Sequence, residues 1–432
     1  MNDEFRDTEI GRIPREWEIK KIKDIATYIT DGTHKTPHYV KYNQSSIPFI
    51  STENIQPYSS EFDFSRYKRY IDEISYTELS KRTNAEKGDL LISKCGTIGR
   101  TQLIRKHVKI GIFVGLLLLK INDNIINGQY LEYLLNSDKF RKIMESSSSG
   151  STRKTLAISI FKDISIPSPP LEEQKRIAYV LSKIQNAIEI QNKLLKLLQE
   201  LKKTMMHKLF TEGIGHTEFK DTEIGRIPRE WEIRKISELF SIQHGISITP
   251  TRKKLKPNYP MLRTINVEWG KISLEKLDYS WFSEKEIENL NLKYGDLLLC
   301  EGGDIGRTAM WREELKKVGY QNHLHRLRKI NKYIQPLFYM YWLQYAILHL
   351  DLYINEGNIT TIPNLSKSKI MNFKVVYANS EEQNRISYIL STIDNKISIE
   401  TKRKESFEKL FKTMLNKLMT GQIRTKNMEM VQ

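Results

Sequence analysis

Two glycine-spaced segments come closest to chemistry in this chain. Gly96-Thr97-Ile98-Gly99 is followed by Arg100, and Gly303-Asp304-Ile305-Gly306 by Arg307. That spacing suits a tight turn after a strand, with Arg100 and Arg307 turned toward phosphate. An RNA-clamping Gly-x-x-Gly loop is the rival reading, but the surrounding pattern is not that fold. His323 and His325, in QNHLHRL, fall on one face of an expected strand, either as structural histidines or as ligands. Cys95 and Cys300 are the only cysteines, too few to hold zinc alone. There is no GxxxxGK[ST] phosphate loop, no GxGxxG fingerprint, no HExxH and no GxSxG. No carboxylate cluster has nuclease or metal spacing. These residues describe a basic reader rather than a catalyst.

The bulk properties agree. The chain has 432 residues, 39% hydrophobic and 10% aromatic, enough for two or three domains with their own cores. The longest apolar run, Ile110 to Leu119, is far too short to cross a bilayer. The charged N-terminus lacks a signal-peptide core, so the expected location is the cytoplasm, with reduced cysteines and no membrane contact. The net charge of +17 is shared along the chain without a basic tail. Nucleic acid is the first partner such a surplus suggests, through phosphate neutralisation; an ordinary basic surface is the alternative.

What must position these residues is written twice. Residues Phe5 to Ile22 read FRDTEIGRIPREWEIKKI, and Phe219 to Ile236 read FKDTEIGRIPREWEIRKI. Further matches follow at nearly constant offset: IPFISTENI with YPMLRTINV, the Gly88 and Gly295 segments through Arg100 and Arg307, and Glu172-Glu173-Gln174 with Glu381-Glu382-Gln383. Such a repeat means duplication. Each copy is a mixed α/β part followed by one long helix: 1–170, then the helix 171–212; 213–379, then the helix 380–421; and a tail, 422–432. Expected strands are Asp89–Ser93, Ile112–Ile121, Asp296–Cys300 and Leu324–Ile330; expected helical runs are Gln129–Met144 and Ile334–Leu350. Ser146 to Ser151 reads as a loop.

Both long helices carry a narrow apolar stripe with alternating steps of four and three, from Ile177 to Leu209 and from Ile386 to Leu418. That is the coiled-coil period. Pro169-Pro170 precedes the first helix, Ser380 with Gln383 makes a capping box on the second, and Gly213 and Gly421 mark the ends. The expected arrangement is an antiparallel coiled coil about a pseudo-twofold axis. The alternative is that each helix packs on its own globular part.

Between the kept ends, most of each copy has drifted. Copies that keep one surface and change another suit one partner bound twice and two different targets, although folding alone can also keep a segment.

TEIGRIPREWE, Asp31-Gly32-Thr33-His34-Lys35-Thr36-Pro37, IPFISTENI, KGDLLISKCGTIGR and the Ile166 to Ile177 segment IPSPPLEEQKRI resemble the specificity subunit of type I restriction-modification systems. The resemblance runs across nearly the whole chain. It implies two target recognition domains, each reading one half of a split double-stranded DNA site, with the helices setting the unread spacer. It also implies two docked methyltransferase subunits that bring S-adenosylmethionine, motor-nuclease subunits that can join them, and no cofactor on this chain. The related alternatives are a methyltransferase-only or fused system, and a non-reading coiled-coil scaffold. An enzymatic rival is a nuclease or methyltransferase with an unrecognised site.

Under this resemblance the candidate DNA contacts are Thr33, His34, Lys35, Lys94, Arg100, Arg153 and Lys154 in the first half. In the second they are His244, Arg252, Lys253, Arg263, Arg307 and His323. DGTHKTP in the first copy faces QHGISITP in the second, and GIFVGLLLLKI stands where the second has YQNHLHRLRKI. The two halves are therefore expected to read different sequences, giving an asymmetric site.

Overall fold

The computed structural model describes residues 4–65, 67–150, 154–302, 305–350, 352, 365–426 and 428–429. The chain forms two units, one of Met1–Asn192 with Lys402–Gln432 and the other of Lys193–Thr401. The first long helix, Leu171–Thr211, therefore begins in unit 1 and ends in unit 2, and the second, Ser380–Met419, does the reverse.

Each unit is built on the same four-stranded antiparallel sheet. In unit 1 the order is Ala26–Asp31, Leu116–Ile121, Leu90–Ser93, Thr101–Leu103. In unit 2 it is Phe240–His244, Leu324–Lys329, Leu297–Cys300, Thr308–Met310. Side chains alternate across these strands, and both faces are covered. Leu90, Ile92, Leu117 and Leu119 join the helix-side core of unit 1, while Leu91, Leu116 and Leu118 join the core beneath the outer loops. Leu297, Leu299 and Leu327 against Leu298, Cys300 and Leu324 repeat the division in unit 2.

The expected strand Ile112–Ile121 is interrupted. Gly111–Ile112 pairs in parallel with Ile47–Ile50 in a second sheet, and a turn at Phe113, where Leu116 N donates to Phe113 O at 2.9 Å, leads into the central strand. Gly32 packs so closely on this turn that a Cβ would lie 2.3 Å from the Ile112 and Phe113 carbonyl oxygens; at Gly245 it would lie 2.1 Å from Tyr320 O. Only glycine fits there, which explains why DG and HG survive in otherwise diverged loops.

The strand registers also correct the comparison of GIFVGLLLLKI with YQNHLHRLRKI by one residue. Leu116 pairs with Ser93 and Leu324 with Cys300, so His325 takes the place of Leu117. The ion pairs Lys120–Asp89, at 2.7 Å, and Arg328–Asp296, at 2.6 Å, confirm the shift. A one-residue slip matters because it exchanges the two sheet faces.

The run Gln129–Met144 forms two helices, Gly128–Asn136 and Asp138–Ser146. Ser137 between them adopts an extended backbone and turns its hydroxyl to Leu134 O at 2.6 Å. Its counterpart Pro336–His349 is continuous and buried nearly all round, with Phe338, Trp342 and Tyr345 packed about Phe210. Ser146 lies at the end of a helix rather than in the loop, and 151–153 fall outside the described residues.

In the long helices every stripe position from Ile177 to Leu209 and from Ile386 to Leu418 is buried or half-buried. Their ends belong to the domain cores. Ile177, Ala178 and Leu181 of the first helix share the unit 1 core with Leu415, Leu418 and Met419 of the second, and Met206, Leu209 and Phe210 share the unit 2 core with Ile386 and Leu390. Packing on the globular part and pairing of helices thus coexist. Within unit 2 the segments run antiparallel: Lys202 Nζ meets Asp394 Oδ1 at 2.7 Å, and further along, past the end of the first helix, Ile214 N donates to Glu382 Oε1, earlier on the second, at 2.8 Å. Gly213 and Gly421 end the helices with φ of 63° and 69°. The capping residue of the second helix is Asn379 rather than Ser380, its Oδ1 accepting from Glu382 N at 2.9 Å. Gln383 is drawn elsewhere, to Ala378 O at 2.7 Å and Gln335 N at 2.9 Å.

Candidate nucleic-acid interface

At the same place in each unit, where the first strand of the four-stranded sheet ends, a groove opens. In unit 1 it is about 560 Å³, lined by Thr33, His34, Lys35, His38, Glu78 and Arg82 among others. Two of its lining residues, His34 and Arg82, meet on Asp31, the buried last residue of Ala26–Asp31. Asp31 Oδ2 accepts from Lys94 Nζ at 2.5 Å and lies 3.2 Å from His34 Nε2, and Oδ1 accepts from Arg82. Burial alone would raise this carboxyl, but Lys94, Arg82 and His34 outweigh it and hold it below the usual carboxylate range. One carboxylate thus gathers two permanent cations and a histidine that is 63% exposed.

The unit 2 groove, about 520 Å³, is lined by His244, Ser247, Thr249, Glu301, Asn322 and His325 among others. Asp31 pairs with Leu117 across the sheet, and His244 with His325, so His244 takes the place of Asp31. Lys94 and Glu301 each follow the equivalent strands Leu90–Ser93 and Leu297–Cys300. The acid and the base have changed sides. His325 is 2% exposed, its Nε2 3.2 Å from Glu301 Oε2, and among the described residues neither ring nitrogen has a hydrogen-bond partner of good geometry. Burial pushes the imidazole below its ordinary pKa, His244 adds to that, and Glu301 opposes it.

The other candidates divide by exposure. Lys35, Lys154, Lys253 and His323 are exposed; His323 lies in the turn before Leu324–Lys329 and does not share a strand face with His325. Thr33 bonds the Lys35 carbonyl at 3.0 Å and shapes the loop. His244, also exposed, has Nδ1 3.1 Å from Gly245 O. Arg100 donates to Ile55 O, and burial lowers its pKa. Arg307 reaches Thr264 O at 3.2 Å. These two arginines brace the same short turn in each unit, and Gly99 and Gly306, with φ of 83° and 82°, make the tight turns that place them. Arg263 Nε lies 2.8 Å from Asp278 Oδ2. Arg153, Gly303 and Asp304 lie outside the described residues.

Arg252 binds Glu286 through Nη2 at 2.6 Å and the Trp281 carbonyl through Nη1 at 2.5 Å. The Arg252 hydrogen bond, against burial and helped by Ser283, lowers the Glu286 carboxyl to about 2. Because the folded pKa lies below the ordinary 4.5, the pair's stabilisation is complete above about pH 4.5 and lost as pH falls through 2. Arg252→Met is therefore expected to cost on the order of 2 kcal/mol at pH 7. Denaturant unfolding should show the variant and parent converging near pH 2; a constant difference down to that pH would refute the pairing.

Sequence reasoning missed Asp31, Arg82 and Glu301. Arg82 comes from the helix Glu73–Thr83, and no local spacing announces it. Glu301 had a signal, since aligning KCGTIGR with EGGDIGR sets it opposite Lys94. Among the described residues no group of three or more His, Cys, Asp or Glu is placed to hold a metal ion, and no helix is long and apolar enough to cross a membrane.

The sequence profile of the type I restriction modification DNA specificity domain matches residues 14–200 and 228–409, once on each copy. The chain belongs to this family. It is 31% identical to the type I restriction enzyme MjaVIII specificity subunit of Methanocaldococcus jannaschii, over 99% of this chain and 97% of that one. With the EcoKI specificity subunit of Escherichia coli it shares 22% identity over 73% of this chain and 68% of that one. Its fold matches the crystal structure of the type I restriction-modification S subunit from M. genitalium, at TM-score 0.57 and 16% identity over 97% of both chains. Specificity subunits recognise DNA and leave the chemistry to other subunits of the system. The two grooves accordingly belong to two DNA specificity domains on one duplicated scaffold.

Proposed function

We propose that each unit reads one half of an asymmetric, bipartite double-stranded DNA site through the groove at the end of its first sheet strand. The observation that carries this is the pair of sheets with the same strand order and register whose residues beside the groove differ in chemistry, Asp31 and Lys94 in one against His244 and Glu301 in the other. The exposed Lys35, Arg82, Lys154 and Lys253, with the exposed His34 and His323, serve as phosphate or base contacts. The long helices set the unread spacer, as dimer geometry sets half-site spacing in other DNA-binding proteins.

Two methyltransferase subunits dock on what the copies share, bringing S-adenosylmethionine; this chain binds no cofactor itself, works in the cytoplasm and admits motor-nuclease subunits. The kept hairpin supports this reading. Trp17, Trp231, Ile13 and Ile227 are buried and kept for folding, but Glu9/Glu223, Arg12/Arg226 and Arg15/Arg229 are exposed and still identical.

The test is to co-express the chain with the methyltransferase subunit encoded beside it and sequence the modified host DNA. A split motif that disappears without this chain is expected. Methylation that ignores the chain would leave a non-reading scaffold as the better account.

A further inference from the structure

Between the central strands much is kept: Leu90, Leu91 and Leu119 are matched by Leu297, Leu298 and Leu327, and Ile92 by Leu299, while Leu118 gives way to Arg326. Where the first strand ends the change is larger: by strand register Asp31, Lys94 and Leu117 give way to His244, Glu301 and His325. A leucine-to-histidine change in a buried strand is costly unless the ring serves something. His325 has Glu301 beside it; both line the groove, and Glu301, 17% exposed against 2%, is the more accessible.

A carboxylate facing DNA is repelled by phosphate, so it cannot act as a backbone contact. What it suits is an amino group on a base edge, which offers only donors to an acceptor. We infer that Glu301 reads one base of the second half-site by accepting from an exocyclic amine, adenine N6 or cytosine N4. His325 is its positioning residue: it is buried, with Nε2 3.2 Å from Glu301 Oε2, and acts through that close approach rather than a well-formed hydrogen bond. In unit 1 the equivalent place holds Lys94, whose ammonium is 12% exposed and bound to Asp31 at 2.5 Å. The inference rests on the two-groove reading above and assigns it a residue and a base chemistry.

The experiment is methylation-motif mapping with the full chain co-expressed with its methyltransferase, comparing parent, Glu301→Gln, Glu301→Lys and His325→Leu. In Glu301→Gln, discrimination at one base pair of one half-site should fall about tenfold or more, because the amide offers a donor as well as an acceptor. Glu301→Lys should move that position toward guanine or thymine. His325→Leu should relax the same position and no other, which a merely structural role would not do. The unaffected half-site reports folding within the same sample. A parent without a split motif overturns the two-groove reading and this inference with it. A parent with a split motif that Glu301→Gln and Glu301→Lys leave unchanged overturns the inference alone. If Glu301→Gln abolishes methylation, Glu301→Asp decides: weakened preference at one position supports the assignment, and an unchanged motif overturns it.

Discussion

Glu173→Ala is expected to lower the melting midpoint of unit 1 by on the order of 10 °C. Glu173 is 2% exposed and accepts from three N–H donors of two side chains. Its oxygens accept from Arg424 Nε and Nη2, both at 2.8 Å, and from Trp17 Nε1 at 3.1 Å. Burial would raise its carboxyl, but Arg424 and the Trp17 indole outweigh that and hold it below 4.5. The folded value being lowered, the stabilisation is complete above about pH 4.5 and fades in acid. Removing one partner of a buried ion pair costs about 3–5 kcal/mol; Arg424 is a quarter exposed and keeps Glu16, so the lower end applies. For a unit of this size each kcal/mol is worth about 2–4 °C. Calorimetry of the full chain should show one component displaced and the other in place.

The mirror substitution, Glu382→Ala, should displace the other component. Glu382 accepts from Trp231 Nε1 at 2.9 Å and from Ile214 N at 2.8 Å, and faces His216 Nε2 at 3.0 Å. A neutralisable histidine stands where unit 1 has Arg424, so the unit 2 effect should be the smaller at pH 7. Displacement of both components together by either substitution would contradict the assignment of the two glutamates to separate cores.

Deleting one heptad from the middle of both helices, residues 190–196 and 400–406, is expected to shorten the unread spacer of the methylated motif by about three base pairs. Seven residues remove about 10.5 Å of helix at 1.5 Å per residue, and one base pair rises about 3.4 Å. The heptad step keeps the apolar stripe in phase, so both cores, built from the ends of the helices, should survive. Both half-sites should read as before. A motif with its spacer unchanged would deny the helices their measuring role.

The duplication explains why so much was legible before any coordinates. Two copies with identical hairpins, glycines at matched places and heptads of the same phase constrain one another. The helix starts at Leu171 and Ser380, the turns at Gly99 and Gly306 and the strand start at Leu324 follow from that, while the strands expected from Asp89 and Asp296 begin one residue later, at Leu90 and Leu297. Where local signals competed, the reading slipped. Ser380-x-x-Gln383 looks like a cap, but Asn379 precedes it and Gln383 is needed to hold Gln335. His323 and His325 share a period of two, but the strand begins between them. Arg100, Arg252 and Arg307 are basic residues near loops, yet each has a contact inside its own unit.

From sequence alone came the doubled architecture, the two long helices with their end signals, the lack of a known catalytic motif and the family, because repeats, periods and motifs are properties of chain order. Tertiary structure alone decided which side chains share a groove. Asp31 meets Arg82 from 51 residues away, and His325 meets Glu301 across a sheet whose register was off by one in the linear comparison. It also decided that the tail of each helix completes the core of the unit it enters. Such pairings depend on strand register and on the close fit of packed elements, and a shift of one residue would send each side chain to the opposite face.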